Sequence, residues 1–119
     1  MEISELKFSV LMPVYHKDNP VFFEKALHSV FTDQTVKPNE IVIVVDGPVG
    51  KDLQVIIDKW KNSKGGLVTI CELPANVGLG NALQIGLKAC KFDLVARMDS
   101  DDIAHHDRFE VQLSCFTAD

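Results

Sequence analysis

The chain has 119 residues, 46% hydrophobic and 24% charged, with 12 Lys and Arg against 17 Asp and Glu for a formal charge of −5. One domain is expected at this length, with roughly two-thirds of the unfolded surface buried and no need for disulfides or a structural metal. The acidic balance lacks the basic face of a nucleic-acid binder, so no nucleic-acid partner is expected; an anionic ligand stays open, because a divalent cation reverses the sign locally.

The segment Met1 to Glu5 is acidic and has no signal-peptide n-region. The longest aliphatic run, Ile41 to Val45, is far short of the ~20 residues that span a bilayer. A cytoplasmic chain is the expectation. Phe8 to Val14 (FSVLMPV) is nearly continuous in apolar residues, as a strand covered on both faces is. Asn19 as N-cap and Pro20 at the first helical position then start a helix. Along it Phe22, Phe23, Ala26, Leu27, Val30 and Phe31 recur at helical spacing. Glu40 to Val45 (EIVIVV) predicts a second strand, and Leu53, Ile56, Ile57 and Trp60 a second helix ended by Gly65-Gly66. Leu67 to Leu73 (LVTICEL) reads as a third strand, followed by a helix through Leu79, Ala82, Leu83, Gly86, Leu87 and Cys90. Leu94 to Met98 (LVARM) reads as the fourth, before a helix that starts near His105 and carries Phe109, Leu113 and Phe116. Cys71, Cys90 and Cys115 form no CxxC pair and lack zinc-ligand spacing, which reads as reduced, mostly buried thiols.

Four strand–helix alternations imply crossovers and a mostly parallel sheet with helices on both faces, an α/β fold. Ligands of such sheets sit outside the carboxyl ends of the strands. Four segments qualify: Tyr15 to Asp18, Asp46-Gly47-Pro48, Ala75 to Gly78, and Asp99 to Asp102. In the last, three carboxylates within four residues repel one another unless a counter-charge is present. Hard oxygen ligands there suit Mg2+ or Mn2+ with phosphate oxygens completing the shell. Acids before a helix also cap it, and that reading stays beside the metal one. An EF-hand loop does not fit, since the sixth position is Ala104 rather than Gly. No Walker A loop is present, and no GxGxxG follows the first strand. Asn76 to Asn81 sets two glycines at a helix start, which serves either a phosphate or an ordinary tight turn.

Together, FSVLMPVYHKDNP, EIVIVVDGP, NVGLGNALQIGL and ARMDSDDIAHHDRF, in that order from Phe8 to Phe109, resemble the family 2 glycosyltransferases of the GT-A fold. Within the family the set is similar to bacterial transferases of O-antigen and exopolysaccharide synthesis. The resemblance implies that residues 1–119 are a single Rossmann-like, nucleotide-sugar-binding domain. It would be the N-terminal half of a longer enzyme, either truncated or naturally short. It also implies that Pro13, Val14 and Tyr15 line a nucleobase pocket, with Tyr15 flanking a uracil ring. Asp46 would accept a hydrogen bond from the base; Val45 stands where the family commonly has a first acid, so that role falls on Asp46 alone. Asn76 and Gly78 would approach the nucleoside and diphosphate. Asp99 would reach the ribose or the metal's water shell, and Asp101 would bind Mn2+ or Mg2+, with Asp102 supporting. The implied partners are a nucleotide-diphosphate sugar, a UDP sugar first, and a saccharide or lipid-linked saccharide acceptor, at the inner membrane face in the full-length protein. The general base is expected beyond Asp119, since His105, His106 and Asp107 match the family's helix start. An uncovered apolar face and sheet edge would favour self-association. Two alternatives stand: a nucleotide-diphosphate-binding module without turnover, and a haloacid-dehalogenase-type phosphatase with Asp99 as nucleophile and Asp101 as acid. Arg97 within the strand and the late position of the motif speak against the second.

Overall fold

The computed structural model describes residues 2–117. Strands β1 (Phe8–Val14), β2 (Glu40–Val45), β3 (Val68–Glu72) and β4 (Leu94–Arg97) alternate with helices α1 (Pro20–Val30), α2 (Lys51–Lys64), α3 (Leu79–Ala89) and α4 (Arg108–Thr117). All pairings are parallel, in the order β3-β2-β1-β4. The chain therefore steps outward from β1 to β3, then returns through α3 to the other side of β1. That reversal opens a crevice beyond the strand ends, where α/β sheets bind their ligands.

Register sets the ends of β1 and β2 level and that of β4 about three residues short of them. Val14 lies opposite Val45, and Leu11 opposite Arg97. The ladder runs on past both strands, with Asp46 N–H donating to Val14 O at 2.8 Å and Met98 N–H to Leu11 O at 2.9 Å. Tyr15, Asp46 and Asp99 therefore emerge at the same edge of the sheet.

The two central strands are buried at every residue. Val10, Met12 and Val14 of β1, with Ile41, Ile43 and Val45 of β2, meet Phe23, Leu27, Trp60 and Phe109 of α1, α2 and α4 on one face. On the other, Leu11, Val42 and Val44 pack against Ala82 of α3. Gly86 lets α3 ride low on that face: a Cβ there would lie 2.6 Å from Leu11 Cδ1 and nearer still to Val44 Cγ2.

At the opposite edge the Glu40 carboxylate is buried and fully engaged. It accepts from Ser9 Oγ at 2.7 Å, Thr69 Oγ1 at 2.9 Å and Lys91 N–H at 2.8 Å. Burial pushes its pKa up, but these donors outweigh burial and hold it below the usual carboxylate value.

The predicted elements hold, with shifted ends. Asn19 caps α1 through Val21 and Phe22 N–H, and Gly65 ends α2 at φ +56°. Leu67 belongs to a short 3-10 turn, so β3 starts at Val68. α4 begins three residues later than its apolar spacing predicts. Buried Gln34 explains this: its Nε2 donates to His105 O at 2.6 Å and its Oε1 accepts Phe109 N–H at 3.3 Å. The amide thus occupies both ends of the bond that a longer helix would make. Thr35 N–H holds His106 O as well, at 2.9 Å. The thiols are less buried than expected, since Cys71 and Cys90 are half-buried and Cys115 is exposed. Burial and the Glu40 charge raise the Cys90 thiol's pKa, which keeps it protonated and unreactive. No helix among the described residues is long and apolar enough to cross a membrane.

Candidate functional site

A cavity of about 340 Å3 opens at the carboxyl edge of the sheet, and four separate segments wall it. β1 contributes Pro13 and Val14, and Tyr15 follows at 39% exposed. The turn after it is closed twice, by Asp18 N–H on Tyr15 O and by Tyr15 N–H on Asp18 Oδ2, both at 3.0 Å.

The second wall is Asp46, buried at 5% exposure. Its Oδ1 accepts Val77 N–H at 2.8 Å, and its carbonyl accepts Asn76 Nδ2 at 3.3 Å. The carboxylate therefore pins the loop that leads into α3 through Oδ1, while Oδ2 makes no hydrogen bond to the described residues. Gly47 permits this close fit: it sits at φ +85°, and a Cβ there would lie 2.6 Å from Asn76 N. Asn76 and Gly78 line the third wall, with Leu79 at the first turn of α3.

The fourth wall is the acidic loop after β4. Asp99 and Asp101 line the cavity on either side of Ser100. Arg97 Nη2 lies 3.1 Å from Asp99 Oδ1, and Asp102 N–H donates to Asp99 O at 3.2 Å, which tightens the loop. Ser100 is buried, and its Oγ donates to Asp18 Oδ2 at 2.8 Å. Asp99, Asp101 and Asp102 each bring a carboxylate oxygen within 4.8 Å of the others. Such hard donors fit Mg2+ or Mn2+, and no imidazole or thiolate among them favours a softer metal. The cavity walls hold four carboxylates, Asp18, Asp46, Asp99 and Asp101, and no Lys or Arg. A cation bound there would offset this charge toward a phosphate.

Eight residues nominated from sequence thus share one cavity: Pro13, Val14, Tyr15, Asp46, Asn76, Gly78, Asp99 and Asp101. Asp102 stands outside it. So do His105, His106 and Asp107, whose ligand atoms also lie within 4.8 Å of one another. Their arrangement is an exposed contact, with His105 Nδ1 2.7 Å from Asp107 Oδ1, a hydrogen bond that lowers the Asp107 pKa. Asp18, Leu79 and Ser100 line the cavity without an assigned role. The first and last meet across 82 residues of sequence, a contact that no local pattern encodes.

Residues 9–119 match the family model described as Glycosyl transferase family 2. The chain is 45% identical over 111 residues to UDP-Gal:alpha-D-GlcNAc-diphosphoundecaprenol beta-1,3-galactosyltransferase of Escherichia coli, covering 93% of this chain and 39% of that protein. It is 44% identical over 107 residues to amylovoran biosynthesis glycosyltransferase AmsE of Erwinia amylovora, covering 90% and 39%. Among solved structures, S. aureus TarS 1-349 in complex with UDP superposes at a TM-score of 0.77 and 25% identity, over 94% of this chain and 32% of that one. Mannosyltransferase PcManGT from Pyrobaculum calidifontis, in complex with GDP-Man and Mn2+, shares the fold at a TM-score of 0.74 and 20% identity, over 95% and 32%. The chain spans 39% of the length of both curated relatives.

Proposed function

Because the chain belongs to glycosyl transferase family 2, we propose that its cavity receives the nucleoside diphosphate of a nucleotide sugar, a UDP sugar in the first place. Residues 1–119 are then the donor-binding part of a longer enzyme. That enzyme transfers the sugar to a saccharide or lipid-linked saccharide acceptor in bacterial cell-surface polysaccharide synthesis, working at the inner face of the membrane. The carrying observation is the convergence of four separate strand-end segments on one acidic cavity. The printed names of the Escherichia coli and TarS matches, with their UDP-Gal and UDP, support the choice of nucleotide. The family membership leaves the phosphatase reading without support.

The residues divide the work. Tyr15 flanks the base, and Asp46 Oδ2 accepts the N3–H of uracil, a donor that cytosine lacks at that position. Asn76 and Gly78 approach the nucleoside and diphosphate. Asp101 holds Mn2+ or Mg2+ with Asp99 beside it or at the ribose, and Asp102 steadies the loop. When bound, the cation supplies Lewis-acid stabilisation of the negative charge that gathers on the leaving diphosphate. Transfer with inversion also needs a base to take the acceptor's hydroxyl proton, on the side of the sugar away from the leaving group. That base belongs with the acceptor-binding part, beyond Asp119.

Calorimetry with Mn2+ present tests the reading. UDP should bind more tightly than CDP, ADP or GDP. Equal affinity for all four would remove Asp46 and Tyr15 from base recognition and leave a bare phosphate site.

A further inference from the structure

Asp18 and Ser100 stand apart among the cavity residues because their two side chains hydrogen-bond directly to each other. Asp18 Oδ2 accepts from two donors, Tyr15 N–H at 3.0 Å and Ser100 Oγ at 2.8 Å. One donor belongs to the residue on the nucleobase wall. The other lies between Asp99 and Asp101 of the acidic loop. Ser100 is only 8% exposed, so its hydroxyl is held in place by packing as well as by the bond. A hydroxyl on a carboxylate makes a charge-assisted bond, stronger than a neutral pair.

The acidic loop needs such a tie. Asp101 and Asp102 are exposed, and three carboxylates within 4.8 Å push one another apart. From outside the loop, Arg97 meets Asp99, and buried Ser29 Oγ accepts Ala104 N–H at 3.0 Å. Between those anchors, the bond from Ser100 to Asp18 fixes the segment that carries Asp99 and Asp101.

We infer that Asp18 and Ser100 form a positioning clasp that holds the metal-binding loop in register with the nucleobase wall. The pair touches neither metal nor nucleotide. It sets the distance that a metal-bound diphosphate and its base must span together. The inference rests on the reading of the cavity as a nucleoside-diphosphate site.

A double-mutant cycle tests it, with the factor by which Mn2+ tightens UDP binding as the readout. Each variant's own affinity in EDTA is its baseline, and thermal melts verify folding. Ser100→Ala and Asp18→Ala should each lower the Mn2+ factor at least threefold. The double variant should be no worse than either single, because one clasp breaks only once. Ser100→Thr, which keeps the hydroxyl, should restore the factor. An undiminished factor in Ser100→Ala would overturn the clasp while leaving the site intact. Losses that multiply in the double variant would overturn it too, since Asp18 would then act on the metal directly. Wild-type UDP binding indifferent to Mn2+ would remove the metal reading, and the clasp with it.

Discussion

Asp101 and Asp46 are both carboxylates at strand ends, yet their surroundings give them different work. Asp46 is buried, with one oxygen already bound to Val77 N–H. Asp101 is exposed, and its charge is available to a cation. Asp101→Asn keeps the side chain's size and removes that charge. Mn2+-dependent UDP affinity should fall tenfold or more, about 1.4 kcal/mol at the least, while affinity in EDTA should hold. Asp102→Asn, outside the cavity wall, should have the smaller effect in the same calorimetry. An Asp101→Asn chain that keeps its Mn2+ dependence would contradict the ligand assignment. At this scale the sequence is informative about residue type and place, since an acid directly after an apolar strand is visible in one dimension. It is silent about second duties. The bond from Asp46 to Val77 spans 31 residues, and only the folded backbone makes them neighbours.

Elements read well from sequence where their signals are local, as with Asn19 and Pro20 at the start of α1. They read poorly where another segment intervenes, as Gln34 does ahead of α4. Apolar spacing also overstates burial: Phe22 of α1 and Leu79 and Leu87 of α3 fit a helical stripe and are nonetheless exposed. Gly86 shows the converse, a small residue whose importance lies in what it lets approach. Gly86→Ala would gain about 1 kcal/mol of helix propensity but drive a methyl into Leu11 and Val44, at an overpacking cost of about 1–3 kcal/mol. A lower melting temperature is the expected net result. UDP affinity should fall with it, because lifting α3 moves Gly78 and Asn76 at its start. A variant that melts and binds as wild type would show that α3 sits less tightly than these distances imply.

For the whole molecule, the alternation of strands and helices is enough to predict a parallel sheet with the segments after its strands at one edge. The order β3-β2-β1-β4 follows from the crossover through α3, which no strand announces by itself. Nor does the sequence announce Glu40, whose buried carboxylate joins β1, β3 and the exit of α3. Its folded pKa lies below the ordinary value of 4.5, so the stability it contributes is present above that value. It is lost as pH falls through the lowered folded pKa. Denaturant titrations from neutral pH down through the carboxylate range should show this loss. Glu40→Gln should flatten that decline and lower stability at neutral pH by about 1–3 kcal/mol, since an amide turns a donor toward donors. An unchanged acid limb in Glu40→Gln would assign the decline to other carboxylates.

Glu40 holds the sheet at one edge, while the cavity lies wholly at the other. This separation has a bearing on how such a domain diversifies. Replacements among the loops after the strands leave the Glu40 anchorage untouched, so a lineage can change what the cavity accepts without first losing its fold. The converse holds for drift near Glu40, which would erode abundance before it altered the cavity.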